Sequence, residues 1–360
     1  MNSFISIPRV SPSRQRLMQL GRKNYIDKPM NIIMCLEEVC NLHCIQCDIW
    51  KTRVSKLKLT VEQRKSIIDK LKDWTGNYTL IFFAGEPLLH PQILDLISYA
   101  SRCGVKTMIT TNGTMLHKSM RENLIQSGLT TMIVSIDSLK AEIHDKIRGY
   151  PGTYARVIRG LFPMFKMRQK YGKPRILLES LIMNNNYKEL PSLVRWAHEI
   201  GADGIGFQPV TSKYGFGHTE YRSNWHKTPE SLLPQYNEVR PVIQELIEMK
   251  KQGYKILNSI RHLQDTLVYF RDPDIYTKRA PCQAHNNFAI ADDGGVFLCF
   301  SQEKIGDGLR ENYQQLWISP AANRVRKQNK KCDKTSKILL CNSCDLARDI
   351  ELCSQSKITS

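Results

Sequence analysis

From residue 31 to residue 210 short apolar runs alternate with amphipathic stretches that stop at glycine, and this rhythm confines the chain to an α/β fold, with helices packed around a parallel sheet. Strands are expected at 30–35, 79–83, 106–110, 131–136, 175–183 and 204–209. Thr60 with Gln63 is a capping-box signal for the first helix, whose Ile67, Ile68 and Leu71 share one face. The second helix starts at Pro91 and stops at Gly104, the third ends at Gly128, and another ends near Gly201. A longer helix over 154–170 contains Pro163, where a kink is expected. Chemistry in such sheets collects at the carboxyl ends of the strands.

Directly after the first strand comes Cys40-Asn-Leu-His-Cys44-Ile-Gln-Cys47. Three thiolates on one loop can hold three irons of a 4Fe-4S cube, and the fourth iron is left open to a small molecule. The alternative is a zinc loop with His43 as fourth ligand, although CxxxCxxC is not a common zinc spacing.

This CxxxCxxC spacing resembles the radical S-adenosylmethionine (radical SAM) superfamily. The resemblance implies a partial (βα)6 TIM-like barrel, a SAM-binding 4Fe-4S cluster on Cys40, Cys44 and Cys47, and reductive cleavage of SAM to a 5'-deoxyadenosyl radical. Ala84-Gly85-Glu86-Pro87 follows the second strand and is similar to the family's GGEP motif, so Gly85 and Glu86 are expected at the SAM ammonium. Asn112 closes the third strand, and Ser135 and Asp137 the fourth; the resemblance assigns them to the SAM pocket. Arg148 is the candidate for the SAM carboxylate, against a surface salt bridge with Asp145. Gln208, ending the sixth strand, faces the same mouth as a substrate or adenine contact or as a satisfied amide. Gln46 stands where the family usually has an aromatic residue, which affects how adenine is packed. No general base is assigned.

The C-terminal quarter carries a second cysteine pattern, Cys282, Gly294 and Cys299 followed by Cys341-Asn-Ser-Cys344. It resembles the SPASM/twitch appendage, which implies a second, auxiliary 4Fe-4S cluster closed by Cys282, Cys299, Cys341 and Cys344. A hairpin turning at Asp292-Asp293-Gly294-Gly295 would bring Cys282 and Cys299 together. Position 350 is isoleucine where the longer SPASM form has cysteine; Cys332 and Cys353 remain for a further metal. Cys35 and Cys103 read as core thiols.

Lys and Arg number 52 against 34 acidic residues, a net +18, so long-range attraction favours an anionic partner or an ordinary basic surface. With no 18-residue apolar run and no signal segment, the expected compartment is the reducing cytoplasm, where clustered thiols read as metal ligands. The expected organisation is a basic arm at 1–29, the barrel at 30–215, an aromatic loop and bridging helices at 216–280, and the auxiliary-cluster domain at 281–360. The aromatic stretch, with Tyr214, Phe216, His218, Tyr221, Trp225 and His226, is a lid or a packed surface loop, and helices follow over 235–252 and 259–270. Basic residues 324–337 read as a solvated linker, against a contact for an anionic substrate. The expected substrate is a ribosomally made peptide or protein side chain. Alternatives are a small anionic metabolite (nucleotide or sugar phosphate) and a nucleic-acid-binding regulator. The expected electron source is a flavodoxin or ferredoxin.

Overall fold

The computed structural model describes residues 28–36, 39–51, 58–83, 85–211, 225–228, 231–279, 287–300, 302–332 and 338–339. The basic arm up to residue 27, Ala84, the aromatic loop over 212–224, and Cys282, Cys341, Cys344 and Cys353 lie outside the described residues.

The first half runs β1 (Asn31–Cys35), α1 (Val61–Thr75), β2 (Thr79–Phe83), α2 (Ile93–Arg102), β3 (Lys106–Thr111), α3 (Lys118–Gln126), β4 (Thr131–Ser135), α4 (Ala141–Arg148), α5 (Thr153–Tyr171), β5 (Arg175–Ile182), α6 (Leu190–Glu199) and β6 (Gly204–Pro209). The Thr60 capping box forms: its hydroxyl accepts from the Gln63 N–H, and the Gln63 side chain accepts from the Thr60 N–H. Pro163 lies inside α5.

The six strands are parallel and adjacent in chain order. Each crossover therefore steps in the same direction, and right-handed crossovers that never reverse place every helix on one face. That face holds the main core, with Leu80, Phe82, Ile109, Met132, Val134, Leu178 and Phe207 packed against Ile67, Leu96, Leu161 and Leu193 of the helices. The opposite face cannot be left to water, and the sheet closes over its own side chains. Met108, Ile133, Leu177 and Leu257, with Ile81 beside them, form a separate plug there.

The remainder runs α7 (Tyr236–Lys251), α8 (Ile260–Arg271), α9 (Pro273–Arg279), β7 (Phe288–Ile290), β8 (Gly295–Phe297), β9 (Gly306–Asp307), α10 (Tyr313–Ile318) and α11 (Pro320–Lys330). The expected hairpin forms as β7 and β8, with Gly294 at φ 88° in its turn. Its position was not expected. β7 pairs in parallel with β1, so the sheet continues as β6-β5-β4-β3-β2-β1-β7-β8-β9. Trp74 of α1, Phe288, Tyr313 and Trp317 cluster over this junction, with ring centroids 5.3 to 6.2 Å apart. The linker expected over 324–337 is corrected over its first part, because residues up to 330 continue α11. Ser319 caps that helix by accepting from the Ala322 N–H, and Pro320 supplies a favoured first-turn residue.

Candidate active site

The cysteine loop leaves β1 at its carboxyl end, where the buried Arg64 of α1 donates to the Cys35 carbonyl at 2.9 Å. Two neighbouring strand ends and the end of α4 then hold the loop. After β2, the Glu86 N–H donates to the Val39 carbonyl at 2.8 Å, and Gly85 lies so close that a Cβ there would stand 2.1 Å from the same oxygen. After β3, Asn41 donates to Thr114 and accepts from Asn112, each at 2.9 Å. Beyond β4, the Ile45 N–H donates to the Ile147 carbonyl at 3.0 Å, and a Cβ on Gly149 would stand 2.1 Å from the His43 carbonyl oxygen. Both glycines have positive φ, 53° and 69°, so the sequence supplies the one residue that permits the turn and the approach together.

Cys44 is buried, and Cys40 and Cys47 are half-buried. Burial pushes their thiols up, Cys40 to about 11 and Cys47 to about 12, with Cys44 raised as well. Three such thiols do not ionise together unaided. A cationic iron–sulfur group compensates three thiolates in this setting, and the donor set fits one. Among the described residues no three His, Cys, Asp or Glu side chains gather as the ligands of one metal ion do. A cube does not require its thiolates to meet at one point, because each binds a different iron. His43, which the zinc alternative needs as fourth ligand, is turned outward and stacks on Trp50 at 4.6 Å between centroids.

Glu86 is 2% exposed and accepts from Leu88 N–H at 3.1 Å, from the Thr111 hydroxyl at 2.7 Å and from the Asn112 N–H at 2.7 Å. Burial raises its carboxyl despite these donors. It fastens the turn after β2 to the end of β3. Asp137 is fully buried at the end of β4: one oxygen accepts from the Leu181 N–H at 3.1 Å, and the other lies 2.7 Å from the Arg148 guanidinium. The Asp145 salt bridge considered for Arg148 is corrected. Asp145 instead accepts the N–H groups of Gly152 and Tyr154 and shapes the turn into α5. Arg148 reaches inward, where its guanidinium also hydrogen-bonds Cys44, and its Nε has no partner among the described residues. Although burial alone would lower its pKa, Asp137 and Cys44 hold the guanidinium above its ordinary value. His144 accepts from the Asp137 N–H at 3.2 Å, and burial together with Arg148 pushes its imidazole down to about 4.

Sequence reasoning passed over Glu179. Ser135 of β4 is in register with Glu179 of β5, and Glu179 with Gly206 of β6, on the same inward face as Ile133 and Leu177. Gln208 is two residues further along that face and donates to the Glu179 carboxylate. Burial raises the Glu179 carboxyl, partly offset by this amide. The signal was present as one charged residue inside the otherwise apolar Ile-Leu-Leu-Glu-Ser-Leu-Ile. The inward face of the sheet thus has an apolar floor and a polar tier of Ser135, Glu179 and Gln208. The carboxyl groups named around it are Glu86, Asp137 and Glu179, and the named cation is Arg148, paired with Asp137. Of the expected auxiliary ligands only Cys299, half-buried after β8, is described.

Residues 36–197 match the model of the Radical SAM superfamily. An AdoMet-dependent heme synthase of Methanosarcina barkeri is 32% identical over 164 residues, 45% of this chain and 45% of that protein. The chain therefore spans less than half the length of that relative. A PqqA peptide cyclase of Bradyrhizobium diazoefficiens is 23% identical over 314 residues, 83% of this chain and 75% of that one. Among solved structures, Streptococcus suis SuiB bound to S-adenosylmethionine superposes with a TM-score of 0.64 at 17% identity, covering 89% of this chain and 76% of that one, a likeness of fold.

Proposed function

From the match of residues 36–197 to the Radical SAM superfamily we propose that the chain is a radical SAM enzyme that oxidises a peptide substrate at the carboxyl end of the barrel. The observation that carries this reading is the cysteine loop pinned by two strand ends and the end of α4, above the polar inward-facing side chains of the sheet. The 4Fe-4S cluster and SAM of this family supply, when bound, one-electron cleavage of the sulfonium and a 5'-deoxyadenosyl radical that abstracts hydrogen. In our reading Cys40, Cys44 and Cys47 hold the cluster, and Arg148 offers its guanidinium to the SAM carboxylate from a position fixed by Asp137. Gly85, Glu86 and Asn112 keep the turn after β2 at the ammonium end, with Glu86 acting through the backbone it fastens. Ser135, Glu179 and Gln208 face substrate or nucleoside, and the apolar plug excludes water from below.

Two observations favour a peptide over a small anionic metabolite. The one cation named beneath the cysteine loop, Arg148, is already paired with Asp137, so an anion attracted by the chain's overall +18 finds no unpaired cation among the residues named there. The likeness to the peptide cyclase also extends over 83% of the chain, whereas that to the heme synthase stays within 45%. Cys282, Cys299, Cys341 and Cys344 we assign to an auxiliary cluster, supported by their pattern and by the β7–β8 hairpin. The test is to co-express the enzyme with each short peptide encoded beside its gene and weigh the peptides by mass spectrometry. Loss of hydrogen from one peptide is the expected result. Unaltered peptides, together with turnover of a nucleotide or sugar phosphate, would overturn the assignment.

A further inference from the structure

Exposed rings lie on the cysteine loop and on the turn after α4 that touches it, each group with a cation beside it. Lys51 Nζ lies 5.0 Å from the Trp50 ring, and Trp50 stacks on His43 at 4.6 Å. The His43 backbone is in contact with Gly149, the next residue is Tyr150, and the Arg156 guanidinium sits 5.2 Å from the Tyr150 ring. Trp50 is 37% and Tyr150 44% exposed, and Val39, just before Cys40, is 40% exposed. Lys146, one helical turn before Gly149, is exposed as well. Single exposed apolar residues need no explanation, but several gathered on the segment that bears the cluster ligands mark a contact surface. Among the described residues Asp48 is paired with Lys51 at 2.9 Å, Asp145 caps two backbone N–H groups, and Glu142 lies exposed one helical turn before Lys146.

Building on the radical SAM reading, we propose that this group of His43, Trp50 and Tyr150, flanked by Lys51, Lys146 and Arg156, is the docking surface for an acidic, flavodoxin-type electron carrier. The position suits electron entry because His43 directly precedes Cys44 in the chain. The cations, Lys146 and Arg156 above all since Lys51 is paired with Asp48, match an acidic partner and would steer its approach. Flat exposed rings offer a stacking platform for the planar, solvent-facing edge of a flavin, which the curved cysteine loop of a ferredoxin does not present. The step is balanced: the carrier's anionic flavin hydroquinone loses one electron and becomes the neutral semiquinone, no proton moves, and the enzyme's cluster gains that electron through the cysteine loop.

The test uses reconstituted holoenzyme and the double variant Lys146→Glu with Arg156→Glu, both outside the cysteine loop. Oxidised flavodoxin is titrated by calorimetry at low and high salt, and 5'-deoxyadenosine formation from SAM is driven by reduced flavodoxin or by dithionite. The expected result is a flavodoxin affinity lower by about tenfold or more at low salt, a weaker salt dependence, and a matching loss of the flavodoxin-driven rate. Dithionite, which needs no docking surface, should drive both proteins alike. Equal flavodoxin affinity in the two proteins overturns the proposal. A wild-type enzyme that cleaves no SAM even with dithionite contradicts the enzyme reading instead, and the titration still decides the surface.

Discussion

Arg148 shows what a single position can and cannot reveal in sequence. Its residue type and its place after β4 marked it for a carboxylate, but only the fold shows the guanidinium turned inward to Asp137 and Cys44. If it also holds the SAM carboxylate, Arg148→Lys lowers SAM affinity by about tenfold or more, because an ammonium cannot make two parallel bonds. Equilibrium dialysis with labelled SAM checks this, and an unchanged affinity in a folded variant leaves Arg148 as a support for Cys44 alone. His144 behind it gives a pH prediction. Its folded pKa of about 4 lies below the ordinary 6.5, so between those values the unfolded chain binds more protons. The part of stability that depends on it is whole above pH 6.5 and is lost as pH falls toward 4, a change of about 3 kcal/mol at most. Urea unfolding at pH 7 and pH 4.5 should show a smaller fall for His144→Gln than for the native chain. Glu179 escaped the sequence reading because its inward orientation depends on strand parity and on Gln208, one strand away.

At the scale of elements, the strands and long helices were legible because they repeat with period and carry end signals. The second strand and the sixth lie at 79–83 and 204–209 as expected, and the Thr60 cap forms as its sequence indicates. Four helices were missed. α4, α9 and α10 have only eight, seven and six residues, too few to establish a period, and α11 has a strongly polar sequence despite the Ser319-Pro320 start. The cysteine loop over residues 39–51 has little regular structure of its own and is shaped by its neighbours, above all Gly149. Gly149→Ala adds the strain of a positive φ, about 1 kcal/mol, and a Cβ placed 2.1 Å from the His43 oxygen. Gly104→Ala bears a similar strain with only the Lys72 ammonium nearby, at 3.7 Å. Iron bound after anaerobic reconstitution should therefore fall in the first variant and hold in the second. Equal iron in both would mean that Gly149 does not position the loop.

Across the whole molecule, the unforeseen feature is that the C-terminal hairpin completes the barrel sheet. β1 and β7 are some 250 residues apart in the sequence, and nothing local in Phe-Ala-Ile announces a parallel partner. The junction rests on Phe288, buried among Trp74, Tyr313 and Trp317. Phe288→Ala should cost about 3–5 kcal/mol, and it should lower the unfolding midpoint of the barrel itself, read from the near-ultraviolet signal of Trp74. A loss confined to the C-terminal region would show that the two parts unfold independently. The account as a whole rests on a cluster held by three thiols and open to SAM. Its most direct test is to mix anaerobically reconstituted protein with SAM and dithionite and measure 5'-deoxyadenosine and methionine, beside a variant with Cys40, Cys44 and Cys47 all changed to Ala. The account predicts equal amounts of both products from the native chain and none from the variant, whereas cleavage that survives in the variant, or none by an iron-loaded native chain, would contradict it.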